Sequence, residues 1–131
     1  MITSLSKHQL IKMYLNNSLY NWLLKNKLLK KGDGFKYASV MDVTIADLKT
    51  YFEEFGYPGL TIPRKSIPTE PDGDEGETLW TLKGGVYTIW FVERGIPSPE
   101  FTTHSREEFE IFWKKGLLEA YEVKLNYLWE V

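Results

Sequence analysis

The chain has 131 residues with a formal net charge of −2, 43% apolar and 15% aromatic residues and no cysteine, which is the size and composition of one folded domain able to bury a core without a staple. The missing cysteine excludes disulfides, thiolate metal sites and a cysteine nucleophile, and no run approaches the roughly eighteen apolar residues of a membrane span. The small net charge hides an asymmetry: residues 1–36 carry +6 and residues 37–131 carry −8.

Ser6-Lys7-His8-Gln9 has the form of a capping box. Apolar residues then recur through Leu10, Met13, Tyr20, Leu24 and Leu28, which predicts one long helix over about residues 7–29, with Lys25, Lys27, Lys30 and Lys31 at the end where cations suit the dipole. Gly32-Asp33-Gly34 stops it. Thr44 precedes a second predicted helix, about 45–55, with Ile45, Leu48, Phe52 and Phe55 facing inward.

Residues 62–78 contain Pro63, Pro68, Pro71, Gly73 and Gly76 and almost nothing apolar, the composition of a functional or solvated connection. Five acids lie in it, Glu70, Asp72, Asp74, Glu75 and Glu77, with no base between Lys65 and Lys83. Such a field steers association with a basic partner. From Thr78 the apolar period becomes two, so residues 78–95 read as a β-hairpin turning at Lys83-Gly84-Gly85. Its second strand is apolar on both faces, as a central strand requires. It ends in Glu93-Arg94-Gly95, which read either as charges at a strand end or as an arginine holding a partly buried carboxylate or a ligand. A third, edge strand is expected over Glu100-Phe101-Thr102-Thr103-His104, after a Pro97/Pro99 connection. Ser105-Arg106-Glu107-Glu108 opens a C-terminal helix over about 106–128, where Gly116 points to close packing or a kink. The expected architecture is a single α+β domain over residues 1–131: N-terminal helices, a small antiparallel sheet of hairpin plus edge strand, and a long C-terminal helix packed on it.

No catalytic constellation stands out. His8 and His104 lie far apart, neither has a second metal ligand at helical spacing, and Ser105 is accounted for as a helix cap beside His104. Seven lysines and no arginine in residues 1–36, on a chain of acidic pI, argue against direct nucleic-acid binding. These features predict a non-enzymatic cytoplasmic protein without metal, cofactor or membrane partner. The remaining alternatives are a small adaptor and a carboxylate enzyme using Glu93.

Residues 80–126 carry a Trp-bearing strand ending in Glu-Arg-Gly, a Thr-rich segment and an acid-capped helix with a late Ala-Tyr-Glu. In Trp90, Glu93, Arg94, Gly95, Thr103, Phe109, Ala120, Tyr121 and Glu122 this stretch, about a third of the chain, resembles the immunity proteins of bacterial polymorphic-toxin and contact-dependent growth inhibition systems. The resemblance implies a cytoplasmic protein that binds one cognate toxin, the C-terminal domain of a large exported protein, and blocks it. If that toxin is a nuclease its active site is cationic. The acids Glu70, Asp72, Asp74, Glu75 and Glu77 are then expected to cover it, with Trp80 and Tyr57 as exposed anchors and Glu93 and Arg94 ordering the scaffold.

Overall fold

The computed structural model describes residues 1–68 and 76–131. It contains helices α1 (Lys7–Leu15), α2 (Leu19–Lys25), α3 (Tyr37–Val40), α4 (Ile45–Phe55) and α5 (Arg106–Asn126), and strands β1 (Gly34–Phe35), β2 (Glu77–Lys83), β3 (Val86–Glu93), β4 (Ile96–Thr103) and β5 (Trp129–Glu130). The architecture is α+β. The chain divides into two compact units, Met1–Phe55 with Leu118–Val131, and Gly56–Leu117.

In the first unit the capping box forms as expected: the Ser6 hydroxyl accepts from the Gln9 amide at 3.1 Å and the Gln9 side chain accepts from the Ser6 amide at 2.9 Å. The single helix predicted over 7–29 does not form. It breaks after Leu15, where Asn17 takes the left-handed conformation at φ 63° and the Asn16 side chain accepts from the Ser18 amide at 3.0 Å. Asparagine tolerates that backbone and bonds it locally, so two in a row can end a helix inside an uninterrupted apolar pattern. Lys27 at φ 56° ends α2 in the same way. The capping of α4 is reciprocal, the Thr44 hydroxyl accepting from the Asp47 amide and the Asp47 carboxylate accepting from the Thr44 amide at 2.9 Å. Leu48 and Phe52 point inward, but Phe55 is 57% exposed and lies against the rings of His8 and Tyr51. Tyr14 sits between Tyr37 and Tyr121, its hydroxyl donating to the Tyr121 carbonyl at 3.0 Å. Lys124 donates to Asn17 Oδ1 at 2.9 Å and stands over the Tyr14 ring. Burial pushes the phenols of Tyr14, Tyr37 and Tyr121 up and the Lys124 ammonium down from their ordinary values. β1 and β5 pair antiparallel.

The second unit holds an antiparallel sheet in the order β2-β3-β4. β2 and β3 join through Gly84 and Gly85, both at positive φ, the backbone of a two-residue hairpin loop that matches strand twist. Central β3 has buried residues on both faces, Thr88 and Val92 on one and Ile89 on the other. β4 is longer than expected, because Pro97 and Pro99 belong to it and face Val92 and Trp90. Glu93 and Ile96 close the hairpin, so alternation turns both proline nitrogens to the outer edge, where no ladder donor is needed.

The first three turns of α5 lie across this sheet. The Ser105 hydroxyl accepts from the Glu108 amide at 3.2 Å, but the Glu108 carboxylate bonds the Thr103 hydroxyl at 2.8 Å, and that hydroxyl in turn accepts from the Ser105 amide. The cap therefore ties helix to strand. Phe109 and Trp113 pack on Trp80 and Ile89 to form the core, and both indole N–H groups donate to the chain before the sheet, Trp80 to the Gly59 carbonyl at 2.7 Å and Trp113 to the Pro58 carbonyl at 3.0 Å. Gly116 supports neither close packing nor contact with the sheet: it is exposed, and an added Cβ would meet nothing within 4 Å.

Candidate protein-binding surface at the β3–β4 turn

Alternate residues of β3 line one face of the sheet, so Ile89, Phe91 and Glu93 succeed one another at intervals of roughly 6.6 Å. Their partners on β4 are Phe101, Ser98 and Ile96. Among the described residues, the aromatic core beneath α5 takes Ile89, with Phe101 packed against it. Phe91 is half-buried, and Glu93, Ile96 and Ser98 are exposed. Among the described residues this end of the face forms a depression of about 380 Å³ lined by Phe91, Glu93, Arg94, Ile96 and Ser98. Ile96 is 68% exposed there.

Glu93-Arg94-Gly95 is a strand end followed by a tight turn. Arg94 and Gly95 are the two loop residues, at φ 52° and 76°, and this backbone is the reason for a glycine at position 95. Arg94 therefore does not continue the Trp90/Val92 face but stands exposed at the hairpin tip. An acid and a base thus flank the apolar pair Phe91 and Ile96.

On the other side of Phe91 lies Gly76, the first described residue after 69–75. A Cβ on Gly76 would come within 2.2 Å of the Phe91 ring, so the backbone lies flat against it. Because Glu77 pairs with Val92, the acidic segment joins the sheet at the level of Glu93. Glu70, Asp72, Asp74 and Glu75 themselves lie outside the described residues. Glu77 is exposed and forms an ion pair with Arg64, so its charge is already answered within the unit.

The two aromatic residues expected as exposed anchors are buried, Trp80 at 2% and Tyr57 at 7% exposure. Trp80 is a centre of the core, and the Arg106 guanidinium lies 5.5 Å from its ring centre; Tyr57 carries the Lys114 ammonium over its ring. Neither ring is available to a partner without unfolding. Trp90 is half-buried on the opposite face and donates to the Thr81 hydroxyl at 3.0 Å. Thr103 and Phe109 serve the cap and the core. Of the residues that carried the resemblance, Glu93 and Arg94 line the depression and Gly95 follows them in the turn. Phe91, Ile96 and Ser98 complete it and were not singled out in the sequence; the one signal for them was an aromatic and an aliphatic residue symmetrical about a two-residue loop.

A carboxylate enzyme using Glu93 would need a cleft at that residue, and a depression exists there. Among the described residues its lining offers one acid, Glu93, and one base, Arg94. Among the described residues no three histidine, aspartate or glutamate side chains gather closely enough to hold a metal ion, and no helix is long and apolar enough to cross a membrane. No protein-family model, curated protein or solved structure matches the chain.

Proposed function

We propose that this chain is an immunity protein, which binds the toxic C-terminal domain of a large exported protein in the cytoplasm and neutralises it without catalysis. The observation that carries this reading is the half-covered sheet face: Phe91 and the exposed Ile96 flanked by Glu93 and Arg94, beside the point where an acidic segment joins the sheet. An apolar centre within a charged rim is the anatomy of a specific protein interface. Ile96 and Phe91 supply the contact area that excludes water, while Glu93 and Arg94 select the orientation of the partner. The acids Glu70, Asp72, Asp74 and Glu75 supply long-range attraction to a cationic surface such as a nuclease active site. Trp80 and Tyr57 have no part in this contact.

Co-expression tests the class directly. Where a toxin-like domain is encoded beside the gene of this protein, its expression alone is expected to arrest growth and co-expression of the chain to restore it; the lack of such a neighbour would favour the adaptor reading. Growth arrest that persists with the chain abundant and folded would leave the adaptor reading in its place. Reversing Glu70, Asp72 and Asp74 to lysine is expected to slow association and reduce its salt dependence while leaving the thermal midpoint unchanged.

A further inference from the structure

The first unit presents a second surface of different chemistry. Four lysines fall within seven residues, Lys25, Lys27, Lys30 and Lys31, and all are exposed. The chain then runs directly into contact with the C-terminal segment: the Gly32 amide donates to the Val131 carbonyl at 3.0 Å, the Val131 amide donates to the Asp33 carbonyl at 3.1 Å, and Gly34 and Phe35 pair with Glu130 and Trp129. Leu128 lies over Gly34, where a Cβ would stand 2.9 Å from its Cδ1. In the same paired segments, Leu28 is 53%, Tyr127 54%, Leu128 60% and Trp129 36% exposed. The last two aromatic residues are held rather than loose, with the Tyr127 and Trp129 rings 4.7 Å apart and Tyr37 edge-on to Trp129. The acids of this stretch, Asp33 and Glu130, are outnumbered by the four lysines and Lys36.

Against the expectation of no membrane partner from the sequence, we propose that this corner is a peripheral membrane-binding surface that takes anionic phospholipid. Lysine heads reach lipid phosphates while their stems lie along apolar surface. Tyrosine and tryptophan favour the headgroup level, and exposed leucines bury into the acyl boundary. No spanning helix is required. Charge and apolar contact supply the two signals that stable peripheral attachment needs. Nucleic acid is the poorer match, because a phosphate backbone gives the leucines nothing to bury against and this cluster holds no arginine to stack on bases. The proposal is independent of toxin binding, which uses residues of the other unit.

Flotation with phosphatidylcholine vesicles and with vesicles also containing phosphatidylglycerol provides the test, with tryptophan emission as a second readout. The expected result is binding to the phosphatidylglycerol vesicles alone, a blue shift of emission, and release by high salt. Lys30→Glu with Lys31→Glu is expected to lower partition by roughly thirtyfold or more, since each lysine near an anionic surface contributes about fivefold. Leu28→Ser is expected to weaken binding without altering circular dichroism, as the side chain is exposed. Equal binding to neutral vesicles, no binding to either, or undiminished binding by the lysine double variant would overturn the proposal. So would capture of an oligonucleotide by a protein that ignores vesicles.

Discussion

Gly116→Ala is expected to stabilise the protein. The residue lies in the interior of a 21-residue helix, where glycine is about 0.8–1.0 kcal/mol less favourable than alanine because its unfolded backbone has more freedom to lose. Nothing lies within 4 Å of the added Cβ, so no steric term opposes the gain, and burial contributes little at an exposed position. The net expectation is a stabilisation of about 1 kcal/mol, or roughly 3–5 °C in the midpoint for a chain of this length. Thermal and urea unfolding by circular dichroism measure it, with an unchanged urea slope showing that the unfolded reference is the same. Gly95→Ala in the same assay supplies the opposite case, because φ 76° places alanine in the left-handed region at a cost of about 1–2 kcal/mol. A Gly116→Ala variant that loses stability would refute the reasoning, and would show that α5 needs a bend or a close neighbour at this point.

Gly76→Ala drives a methyl group into the Phe91 ring, so it should destabilise by about 1–3 kcal/mol and distort the depression, which thermal unfolding and binding would report together. Stability should fall as pH rises above 10, the ordinary phenol value, because the folded state holds the protons of Tyr14, Tyr37 and Tyr121 to higher pH through burial. Lys124 acts in the opposite sense between its lowered folded value and 10.5, so Lys124→Met should steepen the decline in an alkaline denaturation series. At the acid end, the Thr44 amide bond holds the Asp47 carboxyl below its ordinary 3.8. Its contribution is present above that pH and lost as pH falls through the folded value. Asp47→Asn should flatten this acid limb and lower stability by about 0.5–1 kcal/mol at neutral pH through the weakened cap.

The elements that local chemistry specifies were legible in the sequence. Ser6, Thr44 and Ser105 mark helix starts through bonds closed within three residues, and Gly84-Gly85 marks a hairpin because two adjacent glycines take successive positive φ angles without strain. The split of the first helix was not legible from periodicity, since apolar residues continue on both sides of Asn16-Asn17. Arg94 concealed the second hairpin turn: a long side chain in a left-handed position gives no turn signal before Gly95, and the prolines after it mimic a connection. β1 and β5 are two residues each and pair across almost the whole chain, so no local pattern encodes them. The candidate surface was half legible. Glu93-Arg94-Gly95 drew notice as a charged strand end, but the choice of Trp80 and Tyr57 as anchors failed because aromatic identity does not separate a core ring from an interface ring. That distinction depends on where α5 stops covering the sheet, which is set by tertiary packing.

Calorimetric titration of a toxin-like domain with the wild-type chain and with Ile96→Asp would show whether the β3–β4 turn binds a toxin. Ile96 is 68% exposed, so its replacement should leave the midpoint of unfolding in place. Wild-type binding is expected at about 10 nM or tighter, with a loss of about a hundredfold for Ile96→Asp, as for a central apolar contact replaced by a desolvated charge. Equal affinity of a folded Ile96→Asp variant would remove the β3–β4 turn from the interface, and an absence of wild-type binding would contradict the immunity function itself.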